Sequence, residues 1–204
     1  MTRIVRIDPR HPSVQDIEVA CGILRDGGVI AYPTETLYGL GVDPLLPPAV
    51  RRLHRIKGRQ QGRPIPFLIS DTAMLEELTH DILPQARVLM ERYWPGPLTL
   101  IFRARPDLPP PLRSPDGTIG LRVSAHPVAR GLVQALGGPL AATSANPSGG
   151  DDLVDADAIH DAFAGQVDLI IDAGSVPGVS STVVDVTVVP PRVVRTGMLQ
   201  HITL

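Results

Sequence analysis

Six cations crowd one short stretch of the chain, Arg51, Arg52, Arg55, Lys57, Arg59 and Arg63, and no acidic residue lies anywhere between Asp43 and Asp71. Like charges this close repel unless an anion offsets them, from a ligand or from elsewhere in the fold. Lys57 is the single lysine among the 19 basic residues. Its ammonium is a compact charge on a flexible stem, where every other basic position carries a flat guanidinium fork, so it reads as a ligand contact. The spacing Lys57-Gly58-Arg59 can turn both cations to one side of an extended segment.

Small hydroxyl-bearing segments accompany the cations. Thr34-Glu35-Thr36 follows an apolar run, Thr143-Ser144-Ala145-Asn146-Pro147-Ser148-Gly149-Gly150 follows another, and Ser180-Ser181-Thr182 precedes a third. Donors placed after a strand line the carboxyl end of a sheet, where α/β proteins bind ligands. Arg122 and Arg195 interrupt apolar strands, so each needs an anion or an internal carboxylate beside it. Together the pattern suggests a polyanion held by scattered cations and hydroxyls. Other chemistries lack their parts: there is no GxxxxGK[ST], no GxGxxG opening a helix, no HExxH and no GxSxG. The six histidines are scattered without ligand spacing, so no metal site is expected. An acidic run, Asp151, Asp152, Asp155, Asp157, Asp161, Asp168 and Asp172, holds no Lys or Arg, and a solvated helix face accounts for it.

The elements that must position these residues follow from periodicity and breakers. Ser13 and Asp16 resemble a capping box, and Val14, Ile17, Ala20, Cys21 and Leu24 recur at helical spacing up to Gly27-Gly28. Val29–Tyr32 is a short strand, and Thr34–Gly41 has no period and reads as a loop. Pro47-Pro48 opens a helix with Val50, Leu53 and Ile56 inside and the arginines outside, leaving Lys57 and Arg59 at its carboxyl end. Strands are expected at 65–69, with Pro66 favouring an edge or an irregular start, and at 98–103, 118–123, 140–143, 167–171, 182–188 and 192–195. Helices are expected at 71–79, 84–93, 127–136 and near 155–163. Interleaved strands and helices, with two strands together at the end, make an α/β fold on an open, twisted, mixed β-sheet with flanking helices.

The 204 residues are 43% apolar, with 19 basic against 21 acidic side chains, which describes one domain over 1–204. A near-neutral balance argues against a general nucleic-acid coat. Cys21 stands alone, so no intrachain disulfide forms and a reducing, cytoplasmic location is expected. No run approaches the length of a membrane span, and no signal peptide or membrane partner is expected.

From Arg25-Asp26-Gly27-Gly28 to Val194-Arg195-Thr196-Gly197 the chain resembles the YrdC family of threonylcarbamoyl-adenylate synthases. The matching stretches are Tyr32–Leu40, Lys57-Gly58-Arg59, Trp94–Thr99, Gly120-Leu121-Arg122, Thr143–Asn146 and Ser181-Thr182-Val183. The family's K-x-R and S-x-N tetrad stands as Lys57, Arg59, Ser144 and Asn146. The resemblance implies a sheet lining a concave basic cavity. It implies the conversion of L-threonine, bicarbonate and ATP to threonylcarbamoyl-AMP and pyrophosphate, with Mg²⁺ on the phosphates, for threonylcarbamoyladenosine modification of tRNA. Carried over residue by residue, it implies that Thr36, Arg122 and Ser181 contact threonine, with Ser144 near its carboxylate or the carbamate. Arg59, Arg63, Thr118, Asn146 and Arg195 contact ATP, and Lys57 holds phosphate or carbamate oxygens.

A carboxylated amine attacking an α-phosphorus brings two anions together, so placed cations and hydroxyls suffice without a strong general base. Arg63 stands where many relatives have Asn or Lys, and is expected to touch phosphate with altered geometry. Longer relatives carry a further carboxyl-terminal domain; with the chain ending at Leu204, a loop or partner is expected to exclude water instead, and tRNA or its modification machinery is a separate expected partner. Two other readings stay open: an RNA-binding module on the basic face, and a relative that adenylates carbamate for another acceptor, as in hydrogenase maturation.

Overall fold

The computed structural model describes residues 1–58, 65–147 and 149–203. Ten strands form one sheet: β1 (Arg3–Arg6), β2 (Ile30–Pro33), β3 (Tyr38–Val42), β4 (Phe67–Leu68), β5 (Leu98–Arg103), β6 (Thr118–Arg122), β7 (Leu140–Ser144), β8 (Leu169–Asp172), β9 (Thr182–Asp185) and β10 (Arg192–Arg195). Their order across the sheet is β1-β8-β2-β3-β7-β4-β6-β5-β9-β10. Pairing is mixed: β1 and β2 run parallel to β8, β4 to β6 and β5 to β9, and the other neighbours are antiparallel.

The helices are α1 (Val14–Arg25), α2 (Pro47–Ile56), α3 (Thr72–Leu78), α4 (Pro84–Tyr93), α5 (Pro127–Leu136) and α6 (Ala156–Phe163). Their starts are chemical. Ser13, Asp71 and Asp155 each accept a backbone N–H of the first turn of α1, α3 and α6, and proline opens α2, α4 and α5. In α2 the buried positions are Ala49, Val50, Leu53 and His54, and Arg51 and Arg55 face out.

Alternation along the strands sorts side chains onto two faces. On one, Tyr38, Leu40, Phe67, Leu98, Leu100, Leu121, Ala141 and Val184 form a core with α2, α3, α4 and α6. On the other, Ile30, Tyr32, Leu140, Leu169 and Ile171 pack beneath α1 and α5. Farther along that second face, Thr99 and Ile101 of β5, Gly120 and Arg122 of β6 and Val183 of β9 line a cavity instead.

Three departures from the sequence reading have local causes. Tyr38–Gly41, expected as part of a loop, belongs to strand β3, which runs on to Val42. Its period is hidden because Gly39 and Gly41 make room for the Tyr32 ring across the strand pair, and a Cβ at Gly41 would lie 2.6 Å from Tyr32 Cε1. The strand expected at 65–69 shortens to Phe67–Leu68 and lies inside the sheet between β6 and β7; Pro66 still serves as its start, its carbonyl accepting the Ala142 N–H at 2.9 Å. β1 was hidden by Arg3 and Arg6, charges that suit a sheet edge. No described helix is long and apolar enough to cross a membrane.

Candidate active site

The cavity on the second face encloses about 590 Å³. Its polar wall comes from Thr34, Thr36, Thr99, Ser114, Asp116, Thr118, Arg122, Ser144, Asp152, Ser180, Ser181 and Arg195, and its apolar wall includes Tyr32, Ile65, Phe67, Ile101 and Leu112.

Thr36 sits in the turn between β2 and β3. Thr34 Oγ1 donates to the Leu37 carbonyl at 2.6 Å and accepts the N–H groups of Thr36 and Leu37, which fixes the turn and brings Thr36 Oγ1 to 2.8 Å from Thr34 Oγ1. Arg122, at the end of β6, donates from Nη1 to Thr36 Oγ1 at 3.0 Å and from Nε to the Gly96 carbonyl at 3.1 Å. Its Nη2 lies 2.8 Å from Glu35 Oε1, an ion pair whose atoms are close without the alignment of a hydrogen bond. Glu35 also accepts from Ser124 Oγ and from the Ala125 N–H. Burial alone would raise its carboxyl, but the Arg122 charge and these donors hold it below the usual value.

On the facing wall Ser181 Oγ lies 2.9 Å from Thr99 Oγ1, while Arg195 clamps the Ser181 carbonyl from Nε (3.2 Å) and Nη2 (3.0 Å) and reaches Ser181 Oγ at 3.2 Å. Thr118 Oγ1 donates to Asp116 Oδ1 at 2.8 Å, and the same oxygen accepts from Ser114 Oγ at 2.6 Å.

Lys57 follows the last turn of α2 and is 2% exposed. Its Nζ donates to the Ser144 carbonyl at 2.6 Å, to Asn146 Oδ1 at 2.8 Å and to the Asn146 carbonyl. Asn146 Oδ1 accepts Ser144 Oγ at 2.7 Å as well, and its Nδ2 donates to the Gly150 carbonyl. The isolated lysine thus ties down the loop after β7, with Ser144 held at the cavity wall by its pairing with Gly39 of β3.

Of the residues singled out in the sequence, Thr36, Thr118, Arg122, Ser144, Ser181 and Arg195 share this one cavity. Lys57 and Asn146 are not among its lining residues and reach it through Ser144. Arg59 and Arg63 lie outside the described residues. The described lining carries Arg122 and Arg195 against Asp116 and Asp152. Part of the basic run is offset from within: Arg52 grips Asp168, from the acidic run, with Nη1–Oδ2 at 2.6 Å and Nη2–Oδ1 at 3.1 Å.

Sequence reasoning passed over Glu35, Thr99 and Asp116. An arginine inside a strand asks for a carboxylate, but Glu35 lies 87 positions from Arg122 and nothing in its spacing marks the pair. Tyr32 was read as part of a strand and of a family-matching stretch, with no role of its own. Its hydroxyl is fully buried, has no hydrogen-bond partner among the described residues, and is pushed well above the usual tyrosine range chiefly by burial. No three His, Cys, Asp or Glu side chains among the described residues are placed to share a metal ion.

The Sua5/YciO/YrdC family model, described as telomere recombination, matches residues 22–197. The threonylcarbamoyl-AMP synthase of Pyrococcus abyssi is 38% identical over 200 residues, covering 98% of this chain and 58% of that protein. The chain therefore spans little more than half the length of that relative. The structure of P. abyssi Sua5 complexed with L-threonine matches with a TM-score of 0.89 at 36% identity, over 97% of this chain and 57% of that one. E. coli YciO matches with a TM-score of 0.90 at 34% identity, over 97% of each chain.

Proposed function

The chain belongs to the Sua5/YciO/YrdC family, and from that premise we propose that it is a threonylcarbamoyl-AMP synthase acting on L-threonine, bicarbonate and ATP. The observation that carries this reading is the single hollow of about 590 Å³ in which Thr36, Arg122, Ser144, Ser181, Thr118 and Arg195 converge. That volume suits a nucleotide beside an amino acid, since ligand sites span about 300–1,000 Å³.

In the proposed reaction the threonine amine adds to bicarbonate with loss of water, giving a carbamate. A carbamate oxygen then attacks the α-phosphorus of ATP, and pyrophosphate leaves. Thr36, Arg122 and Ser181 hold the amino acid, with Ser144 beside its carboxylate or the carbamate. Thr118, Asn146 and Arg195, with Arg59 and Arg63, serve the nucleotide. Lys57 keeps Ser144 and Asn146 in register, and serves a phosphate or carbamate oxygen by exchanging one of its loop acceptors. Positioning and neutralisation supply the rate enhancement, because bringing two anions together is the difficulty to be overcome. Magnesium enters as part of the ATP substrate, held largely by phosphate oxygens as it usually is. The product feeds threonylcarbamoyl modification of adenosine in tRNA, a cytoplasmic task.

The test is pyrophosphate release from MgATP by the purified protein. Release that needs both bicarbonate and L-threonine is expected; release indifferent to either overturns the reading, and release sustained better by another amine than by threonine points to a different acceptor.

A further inference from the structure

We propose that Glu35 determines the charge specificity of the amino-acid end of the cavity: by pairing with Arg122 it makes that end accept a zwitterion and reject a plain carboxylate. The inference rests on the reading of Arg122 as the contact for the substrate's carboxylate. Arg122 lines the cavity, whereas Glu35 does not; the glutamate sits behind the guanidinium, with Oε1 2.8 Å from Nη2.

Nε and Nη1 donate to Gly96 O and Thr36 Oγ1, and the buried Nη2 lies beside Glu35. The second N–H of Nη1 remains, so a carboxylate in the cavity still finds a donor. Charge, not hydrogen-bond capacity, then decides what binds. Glu35 is held ionised by Arg122, Ser124 and Ala125. Of the other titratable groups nearby, His126 is held below its ordinary value by burial, although Glu35 pulls it the other way, and Tyr32 is pushed well above the tyrosine range by burial, so at neutral pH neither adds a charge. The unit charge of Arg122 therefore already has its counter-charge before any ligand arrives. A second carboxylate on the same guanidinium faces the first across one cation. An amino acid brings an ammonium that offsets this repulsion, and an acid without an amine does not. At the effective dielectric of a partly buried site, two like charges a few ångströms apart differ from an isolated one by a factor of about ten or more in affinity.

Equilibrium dialysis with labelled L-threonine, competed by 3-hydroxybutyrate, its amine-free counterpart, reads this directly. The wild-type chain is expected to bind threonine and to hold 3-hydroxybutyrate at least about tenfold more weakly. In Glu35→Gln the analogue gains about tenfold while threonine changes by less than about threefold. If the analogue gains nothing, or both ligands weaken together, Glu35 only props up Arg122 and the proposal falls. Should Glu35→Gln fail to fold, Glu35→Asp, which keeps the charge on a shorter stem, is expected to retain the wild-type preference; its loss overturns the proposal equally. A wild-type chain that does not bind threonine at all sinks instead the functional reading on which the inference stands.

Discussion

The two ends of the second sheet face are built on the same strand alternation and finished differently. Under α1 and α5 the side chains of β2 and β8 are Ile30, Tyr32, Leu169 and Ile171, all at 1% exposure or less. Across β5, β6 and β9 the equivalent face carries Thr99, Gly120, Arg122 and Val183, and a cavity replaces the helices. Burial of apolar surface holds the covered end, at about 25 cal/mol per Å². At the open end the polar groups hold one another: Thr99 with Ser181, Arg122 with Thr36 and Glu35, Arg195 with Ser181. The difference teaches that one sheet can separate stability from chemistry, with the covered end serving as the foundation for a preorganised polar wall.

The sharpest way to break that separation is Leu132→Ala, which opens a hole under α5, where Leu132 is fully buried. It is expected to cost about 3 kcal/mol and lower the melting temperature by roughly 6–12 °C. KM values for the proposed substrates, threonine and ATP, measured well below the transition, are expected to stay within about twofold, because nothing at the open end is touched. A tenfold rise in either KM would show the two ends to be coupled.

Lys57→Ala probes the opposite end. It leaves the Ser144 carbonyl and both oxygens of Asn146 without their ammonium, so the loop after β7 loses its tie. The proposed threonine-dependent pyrophosphate release is expected to fall by about 100-fold or more, the scale of losing preorganisation at a reacting centre. Rates close to wild type would mean that the loop holds its place without the lysine.

How far these features were legible in the sequence depended on whether their cause was local. Caps, prolines and helical periods are short-range, and α1 through α6 stand within a few residues of their expected places. β3 was missed because Gly39 and Gly41 leave space for Tyr32, a ring on another strand whose demand no local period records. At the site, Lys57 stood out by rarity and by its place in an uncompensated basic run, the hydroxyl loops with Arg122 and Arg195 by their place beside or inside apolar strands, and the individual roles of these residues only by resemblance to a family. Partners joined across the sheet were invisible: Glu35 with Arg122, Thr99 with Ser181, and Arg52 with Asp168, the last of which links two charge runs that had looked unrelated.

Two ion pairs give the smallest effect and the finest comparison: Glu35 with Arg122 at the open end, and Asp168, just before β8, with Arg52 of α2 on the first face. Glu35 and Asp168 are both held below their usual values: burial opposes ionisation in each case, and an arginine with a backbone N–H outweighs it. A depressed carboxylate contributes stability in full above its unfolded value, 4.5 for Glu35 and 3.8 for Asp168, and loses it as pH falls through the lower folded value. The Asp168 side chain is 39% exposed against 19% for Glu35, so water screens the Arg52–Asp168 pair more strongly. Melting temperatures taken from pH 6 down to about pH 3 should therefore fall less steeply in Glu35→Gln than in the wild-type chain, by a few °C over the range, and change little in slope in Asp168→Asn. If Asp168→Asn flattens the profile more than Glu35→Gln does, the stronger electrostatic pairing lies away from the cavity, and the assignment of strong polar pairing to the open end is wrong.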